Sequence, residues 1–294
     1  MKLGLSLPVF TADVARPTQA AGRAAAAGFD AVFASDHLFP PGAPGRPALE
    51  AFSLLAAAAA AHPGLGVGVL VTRPFVRPVG ILAKMAAGLH QISDGRAVVG
   101  LGLGDVNGRA EHHAIGVPFP PVRERAAALE ETVLALRALF AGRTWEGGEH
   151  VPALRGPILP PAAPPVWIGG ASDRALSLAA RVANGWNGWG LDATRFTARA
   201  ADLARAAREA GRDPAEVLPT WGGIVLVGRD RAELASLEAE RAADGLPMDI
   251  WRGTLGDLTS FRDAIAVAGC DWMIMRTAGP ADRAEMIAAA LGAR

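Results

Sequence analysis

The sequence predicts one α/β barrel of eight repeated strand-and-helix units. Its short apolar runs lack an alternation of polar and apolar residues, which is typical of parallel strands buried on both faces. Amphipathic, Ala-rich helical stretches follow most of the runs, and this order implies parallel strands joined by crossover helices. The 294 residues suit one barrel with insertions, so we expect a single domain over residues 1–294. An open, doubly wound sheet and a division into two domains are the alternatives that remain.

Eight apolar runs have the length of strands, and they occupy residues 3–7, 31–34, 65–71, 97–101, 166–168, 185–189, 224–227 and 272–275. The helical stretches occupy residues 17–28, 49–61, 78–89, 122–140, 194–210, 231–244, 257–267 and 281–291. Gly/Pro-rich segments at 39–46 and 142–165 interrupt this order, and we expect the second to be an insertion before the later strands. Loops that follow strands build the active face of such a barrel.

The composition argues against several classes of function. The formal net charge is zero, so there is no basic excess for binding nucleic acid. Cys270 is the only cysteine, which excludes an intramolecular disulfide and argues against a Cys-based zinc site. The first residues lack the features of a signal peptide, and no apolar stretch is long enough to span a bilayer. We therefore expect a cytoplasmic protein with neither a nucleic acid nor a membrane as partner.

Two ionisable residues directly follow the second predicted strand, in the sequence Ser35-Asp36-His37. Catalytic groups of a barrel lie at the carboxyl ends of its strands. Histidine is the side chain best suited to proton transfer near neutral pH. The alternative is structural, with Asp36 capping a short helix and His37 packing against the next loop.

Glycines interrupt the third predicted strand at Gly66 and Gly68, just before Val69. Glycine weakens a strand unless something must approach the backbone closely. A planar ring stacked on the strand would need this gap. A tight barrel interior that needs small residues explains the glycines equally well.

The fourth predicted strand ends in Gly100, Gly102 and Gly104, followed by Asp105. This spacing is superficially similar to a dinucleotide-binding fingerprint, which requires a helix to begin within the glycines. The residues that follow favour a later helix, so we reject a Rossmann site. Asp105 then lies at an open strand end as a candidate acid.

A polar loop with Glu111, His112 and His113 is expected after Asp105. Adjacent histidines can suggest a metal, but further His or Cys partners at ligand spacing are missing. We therefore interpret these residues as solvated and expect no metal site.

The fifth predicted strand leads into a helix through Gly169, Gly170, Ala171 and Ser172. Small residues here leave backbone N–H groups free to bind a phosphate at the helix amino terminus. Ser172 also suits the cap of that helix. An ordinary Gly-containing turn is the alternative.

Taken in order, these segments resemble the luciferase-like family, specifically the branch that uses the deazaflavin coenzyme F420. The segments that carry the resemblance are residues 28–37, 66–72, 83–86, 93–96, 100–104, 111–119, 164–170 and 183–187. The resemblance covers about residues 1–190 well and the rest loosely. Asn184 departs from the family pattern, which often has Asp at this position.

The resemblance implies a (β/α)8 barrel and F420 as cofactor. It also implies a non-prolyl cis peptide at Gly68–Val69 behind the cofactor ring. His37 would face the substrate with Asp36 beside it, and Asp105 falls near an acidic proton donor of some relatives. The residues implied to bind the cofactor are Asp36, Gly68, Val69, Gly102, Gly104, Gly169, Gly170 and Ala171.

The function predicted in this way is hydride transfer between F420 and a small organic substrate, with His37 moving a proton and Asp105 assisting. Three alternatives stay open: an FMN-dependent monooxygenase of the same fold, a non-redox lyase or isomerase that uses Asp36 and His37, and a non-catalytic cofactor-binding protein. Relatives often dimerise, so the helices predicted at 49–61 and 78–89 are candidate surfaces for a homodimer. Packing of both helices on the barrel is the alternative.

Overall fold

The computed structural model describes residues 1–158 and 161–292, which form nine strands, ten α-helices and a short 3-10 helix at Pro214–Glu216. The strands are β1 (Lys2–Ser6), β2 (Ala31–Ala34), β3 (Gly66–Thr72), β4 (Ala97–Gly102), β5 (Val166–Gly169), β6 (Gly185–Trp189), β7 (Leu218–Gly228), β8 (Trp251–Thr254) and β9 (Trp272–Ala278). The helices are α1 (Ala15–Ala26), α2 (Ala51–Ala61), α3 (Val79–Ile92), α4 (Gly108–Ala114), α5 (Val122–Phe140), α6 (Asp173–Val182), α7 (Ala193–Glu209), α8 (Arg231–Ala243), α9 (Leu255–Val267) and α10 (Arg283–Leu291). Leu159 and Pro160 of the predicted insertion lie outside the described residues.

Eight of these strands close into one parallel barrel. Strands β1 to β7 pair in chain order, β7 pairs with β9, and β9 returns to β1. The closing pair runs in register from Lys2 opposite Trp272 to Leu5 opposite Met275. The prediction of a (β/α)8 barrel is confirmed, and the open-sheet alternative is wrong because β6 pairs with β7 to complete the ring.

Each of the eight predicted strands overlaps a barrel strand, but β8 was not predicted. Its four residues, Trp-Arg-Gly-Thr, are too short and too mixed in polarity to stand out as an apolar run. Strand β7 is 11 residues long and extends beyond β6. The four residues of β8 pair with that extension, from Val225 opposite Trp251 to Gly228 opposite Thr254.

The barrel interior is filled by aromatic rings. Phe33, Trp167 and Trp272 lie with ring centroids 5.8 to 6.1 Å apart. Gly4 and Gly68 lie on the strands either side of Phe33, where a Cβ atom at either position would stand within 2.7 Å of its ring. Of the two explanations for Gly68, the structure therefore supports a tight interior, because Phe33 already occupies the gap.

A second, larger apolar layer lies between the sheet and the surrounding helices. Helices α2 and α3 both bury apolar faces in this layer, as expected if they pack on the barrel. Two isoleucines of α3, Ile81 and Ile92, remain exposed. Among the described residues, no helix combines the length and the apolar character needed to cross a membrane.

Candidate active site

A buried carboxylate holds His37 at the mouth of the barrel. Its Nδ1 lies 2.6 Å from Oε1 of Glu111, which is on α4. The other oxygen, Oε2, accepts a hydrogen bond of 2.6 Å from Nη2 of Arg73 and one of 3.1 Å from the Leu38 amide. The His37 side chain is 26% exposed and that of Glu111 only 1%. Three neighbouring strand ends thus contribute to one network, since His37 follows β2, Arg73 follows β3 and α4 follows β4.

The network keeps Glu111 ionised. Burial by itself would raise the pKa of this carboxyl group, but hydrogen bonds from His37 and Arg73 outweigh burial and lower the pKa to about 2. An ionised carboxylate can only accept, so Nδ1 of His37 carries the proton in this contact. Nε2 has no hydrogen-bond partner among the described residues. It is the ring atom left to exchange a proton with a bound substrate.

Glu111 and His112 were expected in a solvated loop, and that expectation is wrong. Both lie on α4 and are buried. His112 Nδ1 lies 2.7 Å from the Pro118 carbonyl oxygen, and burial is the main cause that lowers its pKa. The buried face is formed by Gly108, Glu111 and His112, which have the spacing of one helical face. This spacing predicts a helix, but two of the three residues are polar, so no apolar periodicity marks the helix in the sequence.

Asp36 is engaged by an arginine rather than free. Arg77 Nη2 donates to its Oδ1 at 2.9 Å, and Nη1 bonds the other oxygen. The same Nη2 donates at 3.1 Å to Glu50, whose carboxylate caps α2. Asp36 is therefore a buried, charge-compensated residue that ties β2 to the start of α2. The alternative that Asp36 caps a short helix is wrong, because its carboxylate binds Arg77 and no helix amide, and its role at the cofactor stays a prediction.

Asp105 organises the beginning of α4. Its Oδ1 accepts hydrogen bonds from the amides of Asn107 at 2.9 Å and Gly108 at 3.3 Å, and the side chain is exposed. These bonds satisfy amide groups at the start of a helix. The helix α4 begins at Gly108, four residues after Gly104. A dinucleotide-binding fingerprint needs a helix that begins within the glycines, so the rejection of a Rossmann site is confirmed.

The non-prolyl cis peptide expected at Gly68–Val69 lies instead at Leu70–Val71. Strand β3 pairs regularly with β4 up to Val69, and the register shifts between Val69 and Thr72. Val71 is only partly buried and reaches across to the next strands. A Cβ atom added at Gly102 or Gly169 would stand 2.7 Å from a methyl group of Val71. These two glycines therefore make room for Val71, which the sequence interpretation did not include.

The amino terminus of α6 forms the other side of the mouth. Ser172 caps it, accepting a 3.2 Å hydrogen bond from the Ala175 amide as predicted. The Gly170 amide is already used, because it donates to the Asn187 carbonyl at 3.0 Å. The amides of Ala171 and Ser172 have no acceptor among the described residues. Arg199 from α7 also reaches this point, with Nη2 3.1 Å from the Ala171 carbonyl oxygen, but its Nη1 pairs with Asp173 at 2.5 Å, so its charge is already compensated.

The family model of the luciferase-like monooxygenases matches residues 1–289. The chain belongs to this family. The family predicted from the sequence motifs is therefore confirmed over nearly the whole chain, including the last hundred residues that the resemblance covered only loosely.

Relatives within and around the luciferase-like family include proteins of more than one chemistry. The chain is 31% identical over 251 residues to an F420-dependent glucose-6-phosphate dehydrogenase of Beutenbergia cavernae, with 76% of this chain and 74% of that protein covered. A solved F420-dependent secondary alcohol dehydrogenase, in complex with an F420-acetone adduct, superposes with a TM-score of 0.84 at 19% identity, covering 99% and 98% of the two chains. EDTA monooxygenase from Chelativorans sp. BNC1 superposes with a TM-score of 0.80 at 18% identity, covering 99% and 92%. At these identities the two superpositions show the fold alone.

Besides Val71 and Arg73, two further residues at the mouth of this luciferase-like barrel were not identified from the sequence. Phe10 lies in the loop after β1, with its ring centroid 5.8 Å from that of His37. Arg276, at the end of β9, lies over the Phe10 ring at 5.0 Å. The sequence does contain a signal for Arg276, because this charged residue directly follows the apolar run at 272–275. No group of three or more His, Cys, Asp or Glu in the described part of the chain could hold a metal ion.

Proposed function

We propose that the protein is an F420-dependent oxidoreductase that moves a hydride between the coenzyme and a small organic substrate at the barrel mouth. The dehydrogenase from Beutenbergia cavernae supports the choice of F420, since its name states that dependence and 76% of this chain is matched to it. The observation that carries the chemistry is the His37–Glu111 contact, which fixes one ring nitrogen and leaves the other for the substrate.

The residues present fit a phosphate-bearing cofactor. The amides of Ala171 and Ser172 at the start of α6 lack acceptors among the described residues, and a helix amino terminus attracts anions. The Ala171 amide would contact the phosphate, whereas the Gly170 amide already donates to the Asn187 carbonyl, so a phosphate contact at Gly170 stays a prediction. Val71 would lie against the ring in place of Gly68 and Val69. Bound deazaflavin supplies the hydride chemistry, while the protein positions the groups and controls the proton.

His37 serves as the proton acceptor and donor in this proposal. When an alcohol is oxidised, Nε2 takes the hydroxyl proton, and Glu111 stabilises the imidazolium that forms. In the reverse direction the same atom returns the proton to the carbonyl oxygen. Asp36 and Asp105 support the site through Arg77 and through α4, and a direct role for either remains a prediction.

The first test is titration of the purified protein with F420 and, separately, with FMN. Trp189 is 40% exposed at the end of β6 and gives a fluorescence signal near the mouth. We expect F420 to bind much more tightly than FMN. Tighter binding of FMN would favour the monooxygenase alternative, which agrees with the description of the family as luciferase-like monooxygenases. Failure of both to bind would return the protein to the non-redox alternatives.

The second step assays turnover with glucose 6-phosphate and propan-2-ol as probes, following the visible absorbance of oxidised F420. With whichever probe is turned over, His37→Asn should lower kcat by about 10²-fold or more while F420 affinity changes little. His113→Asn is the matched control, because His113 is exposed on α4. Equal kcat values for the two variants would remove His37 from the mechanism.

A homodimer and a cytoplasmic location belong to the same proposal. Exposed Ile81 and Ile92 make α3 the candidate dimer surface rather than α2, whose large apolar side chains are buried. The neutral net charge supports the expectation that neither nucleic acid nor a membrane is a partner.

A further inference from the structure

Arg276 points into the barrel mouth. On β9, Trp272 and Ile274 belong to the interior cluster, while Met273 and Met275 belong to the outer layer. Because side chains alternate along a strand, Arg276 continues the inward series at the open end. It is half-buried, and its guanidinium lies over the Phe10 ring.

Arg276 has no anionic partner in the part of the chain that the structure describes. It makes neither an ion pair nor a hydrogen bond with any described residue. The other arginines at strand ends differ, since Arg73 is paired with Glu111 and Arg77 with Asp36. A charge taken out of water is normally paired, because desolvation is otherwise uncompensated. Arg276 is therefore an unsatisfied cation at the place where substrate must enter.

Two further arginines add to the positive charge at this point. Burial is the main cause that lowers the pKa of Arg276, and the charges of Arg241 on α8 and Arg16 on α1 lower it further. Neither Arg241 nor Arg16 forms an ion pair with the described residues. The charges of Arg16 and Arg241 thus act on Arg276 from two further helices.

This positive region is separate from the expected phosphate site of the cofactor. Going round the barrel from β5, which leads to Ala171, the strands β6 and β7 come before β9. Arg276 lies instead on the side of His37, because both are close to the Phe10 ring. The centroid of that ring is 5.8 Å from the centroid of the His37 ring and 5.0 Å from Cζ of Arg276. An anion bound at Arg276 would lie near the proton-transferring histidine.

We propose that Arg276 is the specificity-determining residue of a substrate subsite for an oxyanion, so that the substrate carries a phosphate or carboxylate group in addition to its reacting alcohol or carbonyl. Phe10 spaces the anion from His37, and Arg16 and Arg241 strengthen the attraction. Arginine suits this task because its planar fork of N–H groups matches both oxyanions. The proposal rests on the proposed function for the reaction, but the subsite itself is defined by the arginines.

The test is calorimetric titration of the F420-loaded protein with inorganic phosphate and, separately, with acetate. We expect saturable binding of at least one anion, weakened about tenfold or more by Arg276→Gln. Arg16→Gln should weaken it by a smaller factor, and it provides a second variant if Arg276→Gln fails to fold. Arg205→Gln is the matched control, because Arg205 is exposed on α7 and paired with Asp202. Preference for phosphate or acetate identifies the substrate's anionic group.

Three results would overturn the subsite: no saturable anion binding by the wild type, equal binding by Arg276→Gln, or binding seen without F420 that disappears when F420 is loaded. The last would assign the anion site to the cofactor. If F420 itself does not bind, the same titrations are made on the protein alone. Anion binding that depends on Arg276 would then support the subsite while the proposed function fails.

Discussion

His37 owes its orientation to a carboxylate that lies 74 residues away in the chain. The position of His37 after a strand is visible in the sequence, so its place at the mouth could be predicted. The partner could not, because Glu111 is one of several acidic residues after β4 and only the folded barrel brings it to β2. Arg73 was missed for the same reason. Sequence spacing identifies residues at strand ends, whereas their pairing depends on the geometry of neighbouring strands.

The lowered pKa of Glu111 makes a specific prediction about stability and pH. Its ordinary value is 4.5 and its folded value is about 2, so the ionised form stabilises the fold. This contribution is complete above pH 4.5 and is lost as the pH falls towards 2. Glu111→Gln should therefore lower the free energy of unfolding by about 3 kcal/mol at pH 7, since it leaves Arg73 buried without a counter-charge.

Urea unfolding at a series of pH values measures this effect. The difference between wild type and Glu111→Gln should shrink as the pH falls below 4.5. Glu209→Gln is the control, because Glu209 pairs with Arg205 on the exposed face of α7 and should change stability by less than about 0.5 kcal/mol. A difference that stays constant down to pH 3 would show that the carboxylate's charge is not what stabilises the site.

At the scale of elements, β3 shows why small residues are needed inside the barrel. Phe33 fits between β1 and β3 only because Gly4 and Gly68 have no side chains. Its ring then contacts Trp167 and Trp272 and fills the interior beneath the site. Because these rings fill the interior, a ligand at the mouth would contact Val71, near the end of β3, and not Gly68.

Gly68→Ala should destabilise the protein, because the new Cβ would stand 2.5 Å from the Phe33 ring. Such overpacking costs about 1–3 kcal/mol. In a Phe33→Leu background the same substitution should cost little, and thermal unfolding of the four proteins of this cycle measures the coupling. Gly88→Ala on α3 is the control, since nothing lies within 4 Å of the added Cβ, and it should stabilise by up to about 1 kcal/mol. The same cost in both backgrounds would mean that Phe33 is not the obstacle.

The elements themselves were largely predictable. Buried parallel strands give uninterrupted apolar runs, and the predicted helix at 122–140 has the bounds of α5. The two omissions are short. Strand β8 gains its stability from pairing with the extension of β7, and α4 buries a polar face around Glu111, so neither has an apolar pattern of its own. The cis peptide lies two residues further along β3 than predicted, in the segment where the pairing with β4 shifts register.

For the whole molecule, closure of the barrel makes the site and the core interdependent. Residues at the mouth come from the ends of β2, β3, β4 and β9, so each is positioned by the ring of strands rather than by its local segment. The ring closes where β9 lies between β7 and β1. The backbone of Asp271, just before β9, bonds to both neighbouring strands. Its carbonyl oxygen accepts from the Lys2 amide at 2.8 Å, and its amide donates to the Pro219 carbonyl at 2.9 Å. This seam joins the two ends of the chain, and its opening should unfold the barrel as a unit.

Cys270 lies at this seam and can report on its opening. It is buried, its Sγ donates to the Trp272 carbonyl at 3.1 Å, and burial raises the pKa of its thiol to about 12. The thiolate is the reactive form, so a disulfide reagent at pH 8 should label the folded protein only when β9 separates from its neighbours. The labelling rate should then rise with urea at the slope of global unfolding. As a control, Val267→Cys in a Cys270→Ser background should react at once, because residue 267 is 91% exposed. A shallower urea dependence for Cys270 would show that the seam opens locally, and the barrel would then have to tolerate a gap between β1 and β9 while the remaining strands stay folded.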